Sequence, residues 1–132
     1  MRGTPQTMNA LANYEDVVLE VLDELQGQVA KLKRLGVKDI ILDPGFGFAK
    51  KINHNFELLN RLEDLCILEL PILAGMSRKS MVYKALNIDQ ADALVGTIAV
   101  NTIALMKGAA ILRVHDVKET KQTVELYKKT II

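Results

Sequence analysis

Three short apolar runs, each ending on polar residues, most restrict what this chain can fold into. Val37–Leu42 ends on Asp43, Pro71–Gly75 leads into Ser77-Arg78-Lys79-Ser80, and Ala109–Val114 carries Arg113 and leads into His115-Asp116. Apolar runs of this length suit parallel strands covered on both faces. Segments with helical spacing separate them. Val18, Leu22, Leu25, Val29 and Leu32 step by four and three before the first run, and Phe56, Leu59 and Leu62 mark a helix after it. Leu94, Val95, Ile98, Ala99, Thr102 and Leu105 give a wide apolar face before the third, where Gly96, Ala99 and Ala104 allow close packing. The order is helix, strand, helix, strand, two helices, strand, helix. Such alternation implies parallel strands joined by right-handed helical crossovers. All three polar endings then fall on one rim, the side on which α/β folds hold ligands.

Local chemistry sets the boundaries. Pro44, Gly45 and Gly47 force a loop after the first run, because proline lacks an N–H and glycine tolerates positive φ. Gly36 and Gly108 close helices. Asn53 or Asn55 caps the helix carrying Phe56, and Asp89 can cap the next but one. Asp116-Val117-Lys118-Glu119 reads as a capping box opening a last helix with Val117, Val124 and Tyr127 on one face. Cys66–Leu70 is ambiguous between a helix end and an extended linker. Met1–Met8 reads as a loop, and a helix begins around Asn13.

With 132 residues the chain is long enough for one domain, residues 1–132, with a real core. Three strands cannot close a (β/α)8 barrel, which needs eight strands and about 250 residues. The chain also opens where a strand should already have ended, so the expectation is part of something larger. A formal net charge of +1 gives no general field for nucleic acid, and 5% aromatic residues without Trp argue against a stacking surface for it. No apolar run is long enough to span a bilayer, and the first residues lack the apolar core of a secretory signal. Cys66 is the single cysteine, so no internal disulfide forms and a cytoplasmic location is expected.

Each rim residue has two readings. Asp43 either caps its own turn or pairs with a planar group bearing two adjacent N–H donors, such as a guanidinium or a 2-aminopyrimidinone ring. Lys79 and Arg78 either form a solvated basic turn or donate to a ring or an anion, while Ser77 and Ser80 can cap the following helix. Arg113 and His115 alternate with Val114 and so share a side of the strand. They suit a phosphate clamp, or Arg113 bridges to a carboxylate. Asp116 is best explained by the cap, His54 by the surface, and Cys66 by core packing. Gly45–Lys50 has the wrong spacing for a P-loop, the dinucleotide fingerprint lacks its third glycine, and no Cys/His set holds zinc. Three consecutive endings in acid, lysine and arginine–histidine suit a flat, donor-rich ring bearing a phosphate ester.

Leu42-Asp43-Pro44-Gly45-Phe46-Gly47-Phe48, Gly75-Met76-Ser77-Arg78-Lys79-Ser80 and Arg113-Val114-His115-Asp116-Val117 together resemble the dihydropteroate synthases of folate biosynthesis. Met1-Arg2-Gly3-Thr4-Pro5 looks like the loop after that family's fifth strand. The resemblance covers nearly the whole chain and implies the C-terminal half of a TIM-type (β/α)8 barrel, with about three parallel strands and covering helices. It implies condensation of 6-hydroxymethyl-7,8-dihydropterin diphosphate with 4-aminobenzoate, releasing diphosphate, in an enzyme class targeted by sulfonamides. By resemblance, Asp43 binds the pterin's 2-amino and N3–H edge, and Lys79 reaches its carbonyl and N5 side. Gly47, Phe48 and Ser80 border the aminobenzoate pocket, and Arg113 and His115 hold the diphosphate. The family uses Mg²⁺, whose main protein ligand, an Asn, lies on first strands that this chain is expected to lack. A second pterin-binding Asp and mobile loops belong to the same missing part. Isolated, the chain is expected to be inactive, and its open strand edges invite a homo-oligomer. The alternative is a non-catalytic, self-associating half-barrel that binds pterin or phosphate. Ala49 stands where the family usually has Gly.

Overall fold

The computed structural model describes residues 2–131. Its centre is a parallel pair, Ile72–Ala74 (β1) and Ala109–Leu112 (β2), with Ile72 opposite Ala109, Leu73 opposite Ile111 and Ala74 opposite Leu112. The register shifts between Ile72 and Leu73. The expected third strand, Val37–Leu42, is reduced to one parallel bridge, Leu42 to Ile72. There the Leu42 N–H donates to Pro71 O at 2.8 Å and the Leu73 N–H to Leu42 O at 2.7 Å. Extending the parallel pattern by two residues either way calls for an N–H from Pro71 on one side and from Pro44 on the other. Neither proline has one, so the ladder stops at a single rung.

The helices pack around this pair. Val17–Arg34 (α1) starts later than Asn13, where Asp16 Oδ1 accepts the N–H groups of Val18 and Leu19, each at 3.0 Å. Its buried face is Val17, Val18, Val21 and Val29, with Leu22 and Leu25 half-buried beside them. Ile52–Asn60 (α2) follows the glycine loop, and a 3₁₀ helix, Leu62–Leu68, comes after it and takes in Cys66–Leu68 of the ambiguous stretch. Ser80–Tyr83 (α3) is a single turn, Leu94–Met106 (α4) crosses back, and Val117–Thr130 (α5) closes the described chain. Met8–Leu11 forms a further 3₁₀ turn, and Met1 lies outside the described residues. Phe46, Leu58, Leu59, Leu62, Leu65, Ile72, Met76 and Met81 are the largest apolar side chains fully withdrawn from water. Phe46 belongs to the glycine loop, so the core itself anchors that loop.

Several sequence expectations change. The buried face of α4 runs through Gly96, Thr97, Val100, Asn101, Ala104 and Leu105, while Val95 is 78% exposed. The helix is apolar nearly all round, so its sequence pattern did not fix its rotation. Gly96 is needed for close packing: a Cβ there would lie 2.6 Å from Val82 Cγ1. Cys66 is exposed rather than a core residue, and Val117 is exposed at the start of α5. Asn101 is buried with both side-chain polar atoms unpartnered.

Candidate functional site

The three polar endings meet at one mouth. From the loop after Leu42, Asp43 Oδ2 lies 3.3 Å from Arg113 Nη1, which projects from the end of β2. Asp43 also caps its own turn, its Oδ1 accepting the Gly45 N–H at 2.9 Å. The Asp43 and Arg113 side chains are 40% and 55% exposed, so this pair is open to an arriving ligand. Arg113 lies across the end of β1, where a Cβ on Gly75 would sit 2.5 Å from Nη2. Lys79 Nζ donates to Phe46 O at 2.6 Å and stands 4.7 Å from the Phe48 ring centroid. One of the ammonium's three donors is thus used, leaving two for a ligand. Burial lowers the Lys79 pKa and Arg113 lowers it further, against the opposing pull of Asp43.

His115 completes the rim. Ser77 Oγ is 2.8 Å from its Nδ1 and accepts its backbone N–H at 3.1 Å. Asp43, Gly45, Phe48 and Arg113 line a cleft of about 510 Å³, and Gly75, Ser77, Lys79, Arg113, Val114 and His115 line a second of about 140 Å³. Arg113 lines both, so the two clefts adjoin. Gly47 underlies Lys79, its absent Cβ position being 3.2 Å from Lys79 Cδ. Ser80 opens α3 and lines neither cleft. Apolar grooves also border α5, but none of the three polar strand endings reaches them.

Arg78 and Asp116 take structural roles instead. Arg78 Nε and Nη2 each donate to the Asp116 carboxylate at 3.0 Å, and Nη1 donates to Gln90 O and Ala91 O. Asp116 makes no side-chain cap bond, so the expected capping box is replaced by this bidentate pair. The guanidinium's hydrogen bonds hold the Asp116 pKa below the usual carboxylate range, and the carboxylate in turn raises Arg78. Arg78 is kept at φ 52°, a left-handed conformation that these four bonds stabilise.

Sequence reasoning missed the clamp on the glycine loop. Asn55 does not cap α2. It sits inside the helix, where its Oδ1 accepts the Gly47 N–H at 2.8 Å and its Nδ2 donates to Lys51 O at 3.0 Å. Tyr14 OH donates to Ala49 O at 2.8 Å, and Lys50 Nζ donates to Gly45 O at 3.0 Å and Phe48 O at 3.1 Å. Burial pulls the Lys50 pKa down to about 8, against the attraction of Glu24 and Asp43. His54 is half-buried rather than at the surface. Its Nδ1 accepts the Lys51 N–H at 3.0 Å, and its ring meets Tyr14 edge-on at 5.0 Å. A signal existed for Asn55 alone: it shares the apolar stripe of Leu58, Leu59 and Leu62, where an amide needs a partner.

The mouth does not suit Mg²⁺. The ion needs near-octahedral oxygen ligation. Asp43 is the only carboxylate lining the two clefts, and it is flanked by cations. Among the described residues no group of three or more His, Cys, Asp or Glu could hold a metal, and no helix is long and apolar enough to cross a membrane.

Comparison with known proteins adds the lineage. The family model of pterin binding enzymes matches residues 1–115. The dihydropteroate synthase of Escherichia coli (strain K12) is 43% identical over 133 aligned positions, covering 99% of this chain and 47% of that protein. The Yersinia pestis dihydropteroate synthase, solved in complex with a sulfonamide drug, superposes with a TM-score of 0.94 at 40% identity, covering 98% of this chain and 48% of that one. The Thermus thermophilus enzyme in complex with 6HMPPP superposes at 0.91 and 39% identity, covering 96% and 51%. The same enzyme in complex with 4-aminobenzoate gives 0.92 and 39%, covering 96% and 52%. The chain spans about half the length of the curated relatives it matches.

Proposed function

The chain belongs to the pterin binding enzyme family, and from that premise we propose that it carries the C-terminal half of a dihydropteroate synthase site and binds a pterin diphosphate at the Asp43–Arg113 mouth. One observation carries this reading: Asp43, Lys79, Arg113 and His115 border two adjoining clefts that share Arg113. Asp43 accepts the 2-amino and N3–H donors of the pterin, displacing Arg113 from a screened ion pair worth at most about 1 kcal/mol. Lys79 donates to the ring carbonyl and N5 side. Arg113, released, turns with His115 to the diphosphate. Phe48 forms the wall against which 4-aminobenzoate lies, with Gly47 beside it and Ser80 nearby.

In the complete reaction the aniline nitrogen attacks the pterin methylene, the bond to the diphosphate oxygen breaks, and the nitrogen loses a proton. Arg113 and His115 stabilise the negative charge that builds on the leaving diphosphate. These residues provide no ligand set for Mg²⁺. The 132-residue chain alone therefore binds without appreciable turnover.

Calorimetry with the pterin diphosphate tests the first statement and diphosphate release with both substrates the second. Saturable binding tighter than about 1 mM is expected, with no release above the uncatalysed rate. Absence of binding overturns the site, and turnover of about 1 per second overturns the inactivity. The open outer edge of β2, with Ile111 exposed on that strand and Ile41 beside the Leu42 rung, supports self-association of this chain. Light scattering at micromolar concentration should show a dimer or larger, and a monomer removes that part of the reading.

A further inference from the structure

We infer that Ser77 is a positioning residue: it locks His115 as the Nε2–H tautomer, with that N–H turned toward the small cleft as a donor for an anion. The inference deepens the proposed function and rests on its assignment of His115 to the phosphate side.

Ser77 is 5% exposed, so its hydroxyl hydrogen is best satisfied by an acceptor within the protein. The oxygen already accepts the His115 backbone N–H at 3.1 Å. Its remaining polar neighbour among the described residues is His115 Nδ1, at 2.8 Å. Were Nδ1 protonated, it would donate to the same oxygen, and the serine hydroxyl would be left with no acceptor in the protein, facing only the small cleft that it borders. The consistent arrangement has Ser77 O–H donating to an unprotonated Nδ1. A neutral imidazole then carries its hydrogen on Nε2.

Nε2 has no protein partner among the described residues and belongs to the residue that shares the 140 Å³ cleft with Lys79 and Arg113. The ionised oxygens of a phosphate accept hydrogen bonds, so a protonated Nε2 is the useful form there. The backbone bond adds orientation. Ser77 holds His115 by both main chain and ring, fixing the side chain to the end of β1 before ligand arrives.

The test is a ¹⁵N spectrum of the histidine ring in the full 132-residue chain, at a pH well above the usual histidine titration range, with inorganic diphosphate as the probe ligand. The unaltered chain should show His115 as a single Nε2–H tautomer, Ser77→Ala a mixture, and Ser77→Thr the original state. Diphosphate affinity should fall about threefold to tenfold in Ser77→Ala, the cost of immobilising a freed side chain, and recover in Ser77→Thr. A protonated Nδ1 in the unaltered chain overturns the inference, and so does an unchanged tautomer in Ser77→Ala. A changed tautomer with unchanged diphosphate affinity overturns the positioning role. The spectrum of the unaltered chain decides the tautomer even if Ser77→Ala does not fold. If diphosphate fails to bind the unaltered chain, the proposed function fails, whereas the ring spectrum still judges Ser77.

Discussion

Asp43 and Arg113, seventy residues apart in sequence, meet at 3.3 Å across the mouth. Each is more than one-third exposed, so their mutual attraction is screened and adds little to stability. Their value lies in what each does once separated. Asp43→Asn should leave the thermal midpoint almost unchanged but weaken pterin diphosphate binding about 100-fold. The amide faces the pterin's N–H edge with a donor of its own, in place of two charge-assisted acceptors. Calorimetry and a melting curve on the same sample check both halves. A binding loss matched by an equal loss of stability would show that Asp43 serves the fold instead.

Gly75 tests the seat of Arg113. An added Cβ would meet Nη2 at 2.5 Å, well inside contact distance. The guanidinium is the far end of a flexible chain, so it should swing aside rather than unfold β1. Gly75→Ala should therefore lower affinity for inorganic diphosphate about tenfold with a small change in stability. Unaltered affinity would mean that Arg113 does not act from this position.

Ala49 bears on strain in the glycine loop. It is fully buried at φ 52°, where a Cβ is disfavoured. Ala49→Gly should stabilise the chain by about 0.5–1 kcal/mol in denaturant unfolding, as left-handed strain is relieved, partly offset by the greater freedom of glycine in the unfolded chain. A net loss of stability would show that packing of the methyl outweighs the backbone term.

Lys50 makes a prediction about pH. Its folded pKa of about 8 lies below the ordinary lysine value of 10.5 that an unfolded chain would show. Between these values the unfolded chain holds a proton that the folded chain has released. Stability gained through Lys50 must then rise with pH across about 8 to 10.5, and be flat below that window. Glu24, Asp43, Arg2 and Lys79 surround it and modulate its charge. The difference in unfolding free energy between the unaltered chain and Lys50→Met should carry this slope. A difference that is constant with pH would indicate that Lys50 titrates as an exposed lysine.

The rim was legible in the sequence because parallel strands bring their ends to one side whatever their lateral order. Asp43, Lys79, Arg113 and His115 can therefore be assigned to it without knowing a single distance. Pairing was not legible. Nothing in the spacing says that Arg78 takes Asp116 while Arg113 takes Asp43, since both cations follow strands and both acids lie near turns. The rotation of α4 was equally hidden, because apolar residues surround it. The loss of the Val37–Leu42 ladder stems from Pro44 and Pro71, visible in the sequence but meaningful only once the register is known.

That single rung has a mechanical consequence. Residues 38–41 donate no backbone hydrogen bond among the described residues, so the approach to Asp43 is held only by the packing of Ile40 against the core. The acid is placed by the Leu42 rung just before it and by the segment after it: Phe46 sunk in the core and four side chains gripping the turn. In deuterium exchange the amides of residues 38–41 should label within the dead time of mixing, while Leu73 and Gly47 stay protected far longer. The reach of the carboxylate is thus tuned from the rung onward, and changes upstream of Leu42 should be absorbed as slack without shifting where it points.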